Sequence, residues 1–148
     1  MINMIQNAKD QAAALAMNAY KAAVADGSLP EAEVKTAPVE IPKDTANGDF
    51  TTTFALAASK ALRQPPRNIA QTLLDHMDLE GTYFASAEIA GPGFLNFFLS
   101  PAYYSDIVAE VLAQGHRFGR SDYGAGEKEN VVKAIHTNFL FGILRVKD

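Results

Sequence analysis

Apolar side chains along the chain follow two different periods, and their alternation predicts both helices and strands. A period of three to four residues over 3–25 favours a first helix, which Gly27 ends. The same period predicts a second helix that reaches about Arg63 and a third that begins at Pro66, whose missing N–H suits a first helical turn. A fourth helix is expected over 101–114, with one apolar face buried: Tyr104, Ile107, Val108, Val111 and Leu112.

Strands are predicted where β-branched and aromatic residues lie between turn residues. Residues 33–41 form an expected edge or irregular strand, because Pro38 has no N–H to donate to a ladder. Residues 82–90 and 94–99 should form a hairpin around the turn Gly91-Pro92-Gly93. The sequence therefore predicts the order α–β–α–α–β–β–α, an α+β fold with two layers, in which helices cover one face of a small, mainly antiparallel sheet.

Four polar or glycine positions are predicted to shape the helix starts. Gly48 belongs to a turn, and Asp49 or Thr51 is expected to offer a capping oxygen to the second helix. Ser100 is expected to cap the fourth helix. We therefore interpret Gly48 and Asp49 as structural rather than functional.

Composition narrows the classes of protein that the chain can belong to. With 148 residues and 48% apolar residues, one globular domain is expected. The absence of cysteine excludes disulfides and thiol catalysis, and the three histidines have no metal-ligand spacing, so we predict no metal site. No apolar run approaches the roughly 18 residues of a membrane span, and a cytoplasmic protein is expected. The net charge of −4 argues against a protein whose main function is to bind nucleic-acid phosphates, so any RNA contact must be local.

Three stretches, in this order and spacing, resemble the N-terminal additional domain of arginyl-tRNA synthetases. Each is common alone, and together they extend over much of the chain. They are Ile41-Pro42-Lys43 with Gly48-Asp49-Phe50, then Pro66-Arg67-Asn68-Ile69-Ala70, then Glu88-Ile89-Ala90-Gly91-Pro92-Gly93-Phe94-Leu95-Asn96-Phe97. On this basis we expect that additional domain in 1–115, a connector toward a catalytic domain in 116–128, and a tail unlike the family in 129–148.

The resemblance implies a fold shared with ribosome recycling factor and a partner, arginine-accepting tRNA. The family's additional domain contacts the D-loop at the outer corner of the tRNA. The parent enzyme joins arginine to tRNA with ATP and magnesium, and its catalytic domain would be a second partner. For the chain alone we expect no cofactor, and neither a membrane nor DNA as partner.

The resemblance also implies which residues contact RNA. Phe94 and Asn96 fall where the family places an aromatic ring and an amide against a D-loop base. Alternation along a strand puts Phe98 on the same, exposed side. Unpaired bases are bound by stacking and by hydrogen bonds to their edges, which these side chains provide. The alternative is that Phe94 belongs to the core and Asn96 to a solvated strand.

The basic residues Lys60, Arg63 and Arg67 form a stretch without an intervening acid. They are candidates for contacts with tRNA phosphates, because Lys and Arg supply most such contacts. The alternative is an ordinary solvated helical face.

Catalytic residues are not expected in this chain. After the connector, the family continues into a Ser-Ala-Asn-Pro-Thr-Gly-Pro-x-His-x-Gly-His signature that binds ATP, whereas His136 here is followed by Thr137-Asn138. A protein-interaction or self-association domain without RNA binding remains the second hypothesis, motivated by the acidic charge and by the apolar residues 139–144.

Overall fold

The computed structural model describes residues 4–120, 130–135 and 141–146. The chain divides into two compact units between His116 and Arg117. Among the described residues, the first unit contains four α-helices and four strands: α1 (Met4–Ala25), β1 (Val39–Glu40), β2 (Phe50–Thr52), α2 (Phe54–Leu62), α3 (Pro66–Asp75), β3 (Phe84–Ala90), β4 (Phe94–Leu99) and α4 (Pro101–Gln114). The sheet has the order β1-β2-β4-β3 and is antiparallel at every pairing. The predicted α+β class is confirmed.

The second unit contains two strands, β5 (Asn130–Ile135) and β6 (Phe141–Val146), which pair with each other in an antiparallel ladder. Residues 121–128 of the predicted connector and 139–140 of the apolar segment lie outside the described residues.

The core lies between one face of the sheet and the helices α1, α2 and α3. Alanines line the buried side of α1, and their small side chains let the helix approach its neighbours closely: Ala8, Ala12, Ala16, Ala19 and Ala23. Alternate sheet residues point toward them, so Phe50, Leu95 and Phe97 are buried. The predicted first and third helices are confirmed in position.

The predicted strand over 33–41 shrinks to Val39–Glu40. Upstream of it, side-chain hydroxyls replace the ladder. The Tyr20 hydroxyl accepts a hydrogen bond from the Ala32 N–H at 2.9 Å, and the Thr52 hydroxyl donates to the Pro38 carbonyl at 3.2 Å. Pro38 limits the strand as expected, because it has no N–H to pair.

The predicted capping residues have other roles. Thr51 lies inside β2, and α2 begins one turn later, after Thr53, which makes no side-chain cap. The carboxylate of Asp49 accepts a hydrogen bond from the Leu99 N–H at 2.8 Å. Asp49 therefore joins the start of β2 to the end of β4. Ser100 does precede α4, but its buried hydroxyl has no hydrogen-bond partner within the described residues.

The predicted buried face of α4 is correct only in part, since Ile107 packs against the core and Val111 is half-buried. The buried residue is Tyr103, whose ring packs edge-on against Tyr83 with 5.3 Å between centroids. The stripe of Tyr104, Val108 and Leu112 is instead 53%, 56% and 77% exposed. The helical period is correct, but the helix is attached through a neighbouring face that contains Tyr103 and Ile107. No helix among the described residues is long and apolar enough to cross a membrane.

An ion pair joins the ends of α1 and α3. Nε2 of His76 lies 2.5 Å from the Asp26 carboxylate, while Nδ1 lies 2.7 Å from the Thr72 carbonyl. The hydrogen bond to Asp26 raises the pKa of His76, and the hydrogen bonds from His76 and Ser28 lower the pKa of Asp26 to about 2.

These pKa shifts make the contribution of the pair to stability depend on pH. The contribution of His76 is complete below its ordinary pKa of 6.5 and disappears as pH rises through the raised value. That of Asp26 is present above 3.8 and disappears as pH falls toward 2. We expect His76→Gln to lower the free energy of unfolding most between pH 3.8 and pH 6.5, where both contributions are complete, and little at alkaline pH. Urea unfolding of both proteins at about pH 5.5 and about pH 9 measures this, and an equal difference at both values would contradict it.

Candidate functional site

The predicted contact residues of β4 lie on the face of the sheet opposite the helices. Asn96 is in the middle of the sheet, paired with Thr51 of β2 on one side and with Glu88 of β3 on the other. Directly opposite residues of antiparallel strands share a face, so these three side chains are neighbours. Phe94 and Phe98 flank Asn96 on the same face.

The loop before β2 forms a cavity with this face. It contains a short 3-10 turn over Thr45–Asn47, which Asp44 caps by accepting from the Ala46 N–H at 3.0 Å. The cavity has a volume of about 320 Å³, at the lower end of the range for small-molecule sites. Its lining comes from the loop, from β2 and from the β3–β4 hairpin: Pro42, Asn47, Thr51, Ala90, Gly91, Phe94 and Asn96. We call it the hairpin pocket.

Asn96 is buried rather than exposed, with only 4% of its surface accessible. The prediction of a solvent-exposed side chain is wrong, because the 42–47 loop and its neighbours cover this part of the sheet. The Asn96 amide is also oriented by a partner: the Thr51 hydroxyl donates a hydrogen bond to its Oδ1 at 2.7 Å. A polar side chain held in this way at the wall of a cavity is suited to recognising a polar ligand group.

Phe94 lies half-buried at the turn of the hairpin. The turn is fixed against α3 by Gly93, whose φ is +141° and where an added Cβ would come within 2.9 Å of the Pro66 carbonyl group. Arg67 strengthens this attachment, since its Nη1 donates to the Gly91 carbonyl at 2.7 Å. The sequence from Pro66 onward and the Gly-Pro-Gly turn are therefore parts of one structural element that positions the Phe94 ring.

Phe98 shares the face of Phe94 and Asn96 but does not line the hairpin pocket. Its ring tip is directed to the Gly48 turn, where it would lie 3.4 Å from an added Cβ. Behind it, the Asp49 N–H donates to the Phe97 carbonyl at 2.9 Å. Of the three predicted base contacts, two meet at the pocket and the third supports the covering loop.

The predicted phosphate-binding residues separate into two kinds. Lys60 and Arg63, at the end of α2, are exposed. Neither forms an ion pair in the part of the chain that the structure describes. Arg67 is also exposed, but one of its guanidinium nitrogens is engaged by Gly91, which belongs to the pocket lining. Arg67 thus places positive charge beside the pocket, whereas Lys60 and Arg63 lie at the end of the preceding helix, α2.

The pocket itself carries no charged side chain. Its polar groups are two amides and a hydroxyl, and its apolar surface comes from Phe94, Pro42 and Ala90. This lining suits a flat, neutral, hydrogen-bonding group better than a phosphate. Among the described residues no group of acidic or histidine side chains could hold a metal ion.

Sequence reasoning missed Thr51, Pro42 and Asn47 as pocket residues. The sequence predicts a helix start near Thr51, because the three residues of β2 are too few to show the alternation of a strand. Pro42 lies in the Ile41-Pro42-Lys43 stretch that carries the family resemblance. That stretch is the one signal in the sequence that connects Pro42 with the site. Nothing local in the sequence indicates that the 42–47 loop folds back over β4.

Comparison with known proteins agrees with this architecture. The family model described as the arginyl tRNA synthetase N terminal domain matches residues 6–99. This chain belongs to that family. The match includes every residue that lines the hairpin pocket. The matched domain is not the catalytic domain of the arginine–tRNA ligases, so no activity is assigned to the chain alone.

Whole arginine–tRNA ligases are similar to the chain over its N-terminal part. The enzyme of Acetivibrio thermocellus is 38% identical over 128 residues, which are 86% of this chain and 23% of that protein. The Listeria welshimeri enzyme is 39% identical over 100 residues, 68% of this chain and 18% of that protein. The chain therefore spans about a fifth of the length of these relatives.

A solved structure shows the same fold. The arginyl-tRNA synthetase of Plasmodium falciparum superposes with a TM-score of 0.52 at 16% identity, covering 66% of this chain and 17% of that protein. At this identity the likeness concerns the fold alone.

Proposed function

We propose that this domain binds arginine-accepting tRNA by receiving an unpaired base of the D-loop, at the outer corner of the tRNA, in the hairpin pocket. The observation that carries the proposal is the pairing of Phe94 with a buried, oriented Asn96 at the wall of one uncharged cavity. Single-stranded RNA is recognised by stacking bases on aromatic rings and by hydrogen bonds to their edges. The pocket provides one group of each kind within three residues of the same strand.

Affinity for the tRNA backbone would come from basic residues outside the pocket. We propose that Arg67 contacts a phosphate next to the bound base, and that Lys60 and Arg63 contact phosphates of more distant nucleotides in the tRNA. All three are exposed. Binding by the isolated domain should accordingly be weak and sensitive to salt.

As part of a longer synthetase, the domain would support attachment of arginine to tRNA by an ATP-dependent catalytic domain elsewhere in that protein. The relatives' names give arginine–tRNA ligase activity to the complete proteins, of which this region is a small part. The tRNA and that catalytic domain are then the partners of this region, and the cytoplasm is the compartment of its function.

The direct test is titration of the 148-residue chain with arginine-accepting tRNA, beside the same tRNA with its D-loop bases removed to leave abasic sites. We expect the intact tRNA to bind at least fivefold more tightly, since stacking of one base contributes about 1–3 kcal/mol. The slope of log K against log salt should correspond to two or three phosphate contacts, at roughly 0.7 per contact on single-stranded RNA. Equal affinity for both tRNAs would overturn the proposal.

A protein-interaction function has one observation in its favour, the exposed stripe of Tyr104, Val108 and Leu112 on α4. Contiguous apolar surface of this kind is often covered by another protein. Sedimentation of the chain at increasing concentration, with and without tRNA, distinguishes the two functions. A monomer at all concentrations that binds tRNA would exclude self-association.

A further inference from the structure

The Asn96 amide has a defined orientation in the hairpin pocket. Its oxygen lies 2.7 Å from the Thr51 hydroxyl oxygen. Of these two oxygens only the hydroxyl can donate, because an amide oxygen carries no proton. A hydroxyl that donates must face the amide carbonyl, so the NH₂ group points away from Thr51.

The NH₂ group of Asn96 is unused within the domain. No acceptor for it exists among the described residues, including Glu88, which is directly opposite on β3. The side chain is almost completely buried, and it lines the pocket. Within the described residues, the one fully buried side-chain polar atom without a partner is Oγ of Ser100, so the NH₂ group of Asn96 reaches accessible space in the pocket. The pocket therefore offers a hydrogen-bond donor at its wall.

We infer that Thr51 is a positioning residue, which holds the Asn96 amide so that the pocket binds a nucleobase through an acceptor atom of that base, a ring nitrogen or a carbonyl oxygen. The inference rests on the proposed function and deepens it, because it fixes the hydrogen-bonding character of the bound edge. The cross-strand register makes this possible, since Thr51 and Asn96 are direct partners in adjacent strands.

Thr51 itself would complete the recognition. Once its proton is donated to Asn96, its oxygen keeps lone pairs that accept hydrogen bonds. Thr51 also lines the pocket, beside the free NH₂ group. A base edge with an acceptor next to a donor matches this pair of groups, whereas an abasic site or an apolar base analogue does not.

Three variants separate this role from a structural one. Asn96→Asp keeps an oxygen for Thr51 to donate to but removes the NH₂ donor. Thr51→Val removes the hydroxyl at nearly constant shape and frees the amide to rotate. Thr51→Ser retains the hydroxyl and is the matched control. The measured quantity is the ratio of tRNA affinities with the D-loop bases present and with abasic sites, for the full 148-residue chain.

We expect Thr51→Ser to keep the ratio of the unmodified chain within about twofold, Thr51→Val to reduce it roughly three- to tenfold, and Asn96→Asp to bring it close to one. Affinity for the abasic tRNA should stay the same in Thr51→Ser and Thr51→Val, which shows that fold and backbone contacts are intact. The Asn96 side-chain NH₂ resonances, assigned with Asn96→Ala, should shift on addition of tRNA to the unmodified chain and not in Thr51→Val.

The outcomes distinguish the two proposals. If the unmodified chain fails to discriminate the abasic tRNA, the proposed function fails, and the inference fails with it. If the unmodified chain discriminates but Thr51→Val retains the same ratio, the function stands and the positioning role of Thr51 is overturned. If Thr51→Val does not fold, a ratio in Asn96→Asp equal to that of the unmodified chain overturns the donor assignment by itself.

Discussion

Replacing Phe94 with alanine is expected to weaken binding of arginine-accepting tRNA by roughly 5- to 150-fold, which corresponds to the 1–3 kcal/mol that stacking of a base on an aromatic ring contributes. The residue lines the hairpin pocket and is only half-buried, so part of it is accessible from the pocket. The loss should be confined to tRNA with intact D-loop bases. Fluorescence titration with intact and abasic tRNA measures both affinities.

Phe98→Ala is the matched control for this variant. Phe98 is on the same strand and the same face and is also half-buried, but it is directed to the Gly48 turn and not to the pocket. We expect little change in the discrimination between the two tRNAs. A loss as large as that of Phe94→Ala would show that base stacking extends along β4, and an unchanged affinity in Phe94→Ala would remove the ring from the binding site.

Gly48→Ala is expected to lower the free energy of unfolding by about 2–4 kcal/mol, because two costs combine at this position. Its backbone has φ of 85° and ψ of −169°, a region that is essentially restricted to glycine. An added Cβ would also lie 2.8 Å from the Phe97 carbonyl oxygen, in a central strand that cannot easily move. Urea or thermal unfolding measures the loss.

Gly27→Ala is the control that shows the cost of a positive φ without a steric contact of the added Cβ. Gly27 has φ of 83°, nearly that of Gly48, but an added Cβ there meets nothing within 4 Å. We expect this variant to lose only about 1 kcal/mol. Equal losses in the two variants would mean that the close approach of the 42–47 loop to β4 does not restrict residue 48.

The positions of the helices were largely predictable from the chain. Periodicity in α1 is clear because a long run of alanines leaves one continuous apolar face, and Pro66 marks the start of α3 independently of its surroundings. The strand β2 was not predictable, since its three residues owe their conformation to β4. The pairing of Phe50 with Phe97 joins residues far apart in sequence, and no local signal carries that information.

The candidate site was predictable in part. The spacing of Phe94 and Asn96 placed both on one face of a strand, and the structure brings both to one pocket. Their burial could not be predicted, because it depends on a loop that begins about 50 residues earlier in the chain. Thr51 became part of the site for the same reason, through a cross-strand hydrogen bond that alternation cannot reveal.

The sequence by itself determined the helices, the β3–β4 hairpin, the family and two of the residues that line the pocket, because helical periodicity, turn glycines and short motifs are properties of neighbouring residues. Tertiary structure alone decided which face of α4 is buried, that Asp49 binds the end of β4, and that the Asn96 amide oxygen accepts a hydrogen bond from Thr51. Each of these depends on a contact between segments distant along the chain. Such contacts are selected by the packing of the whole domain, and so they leave no pattern in the local sequence.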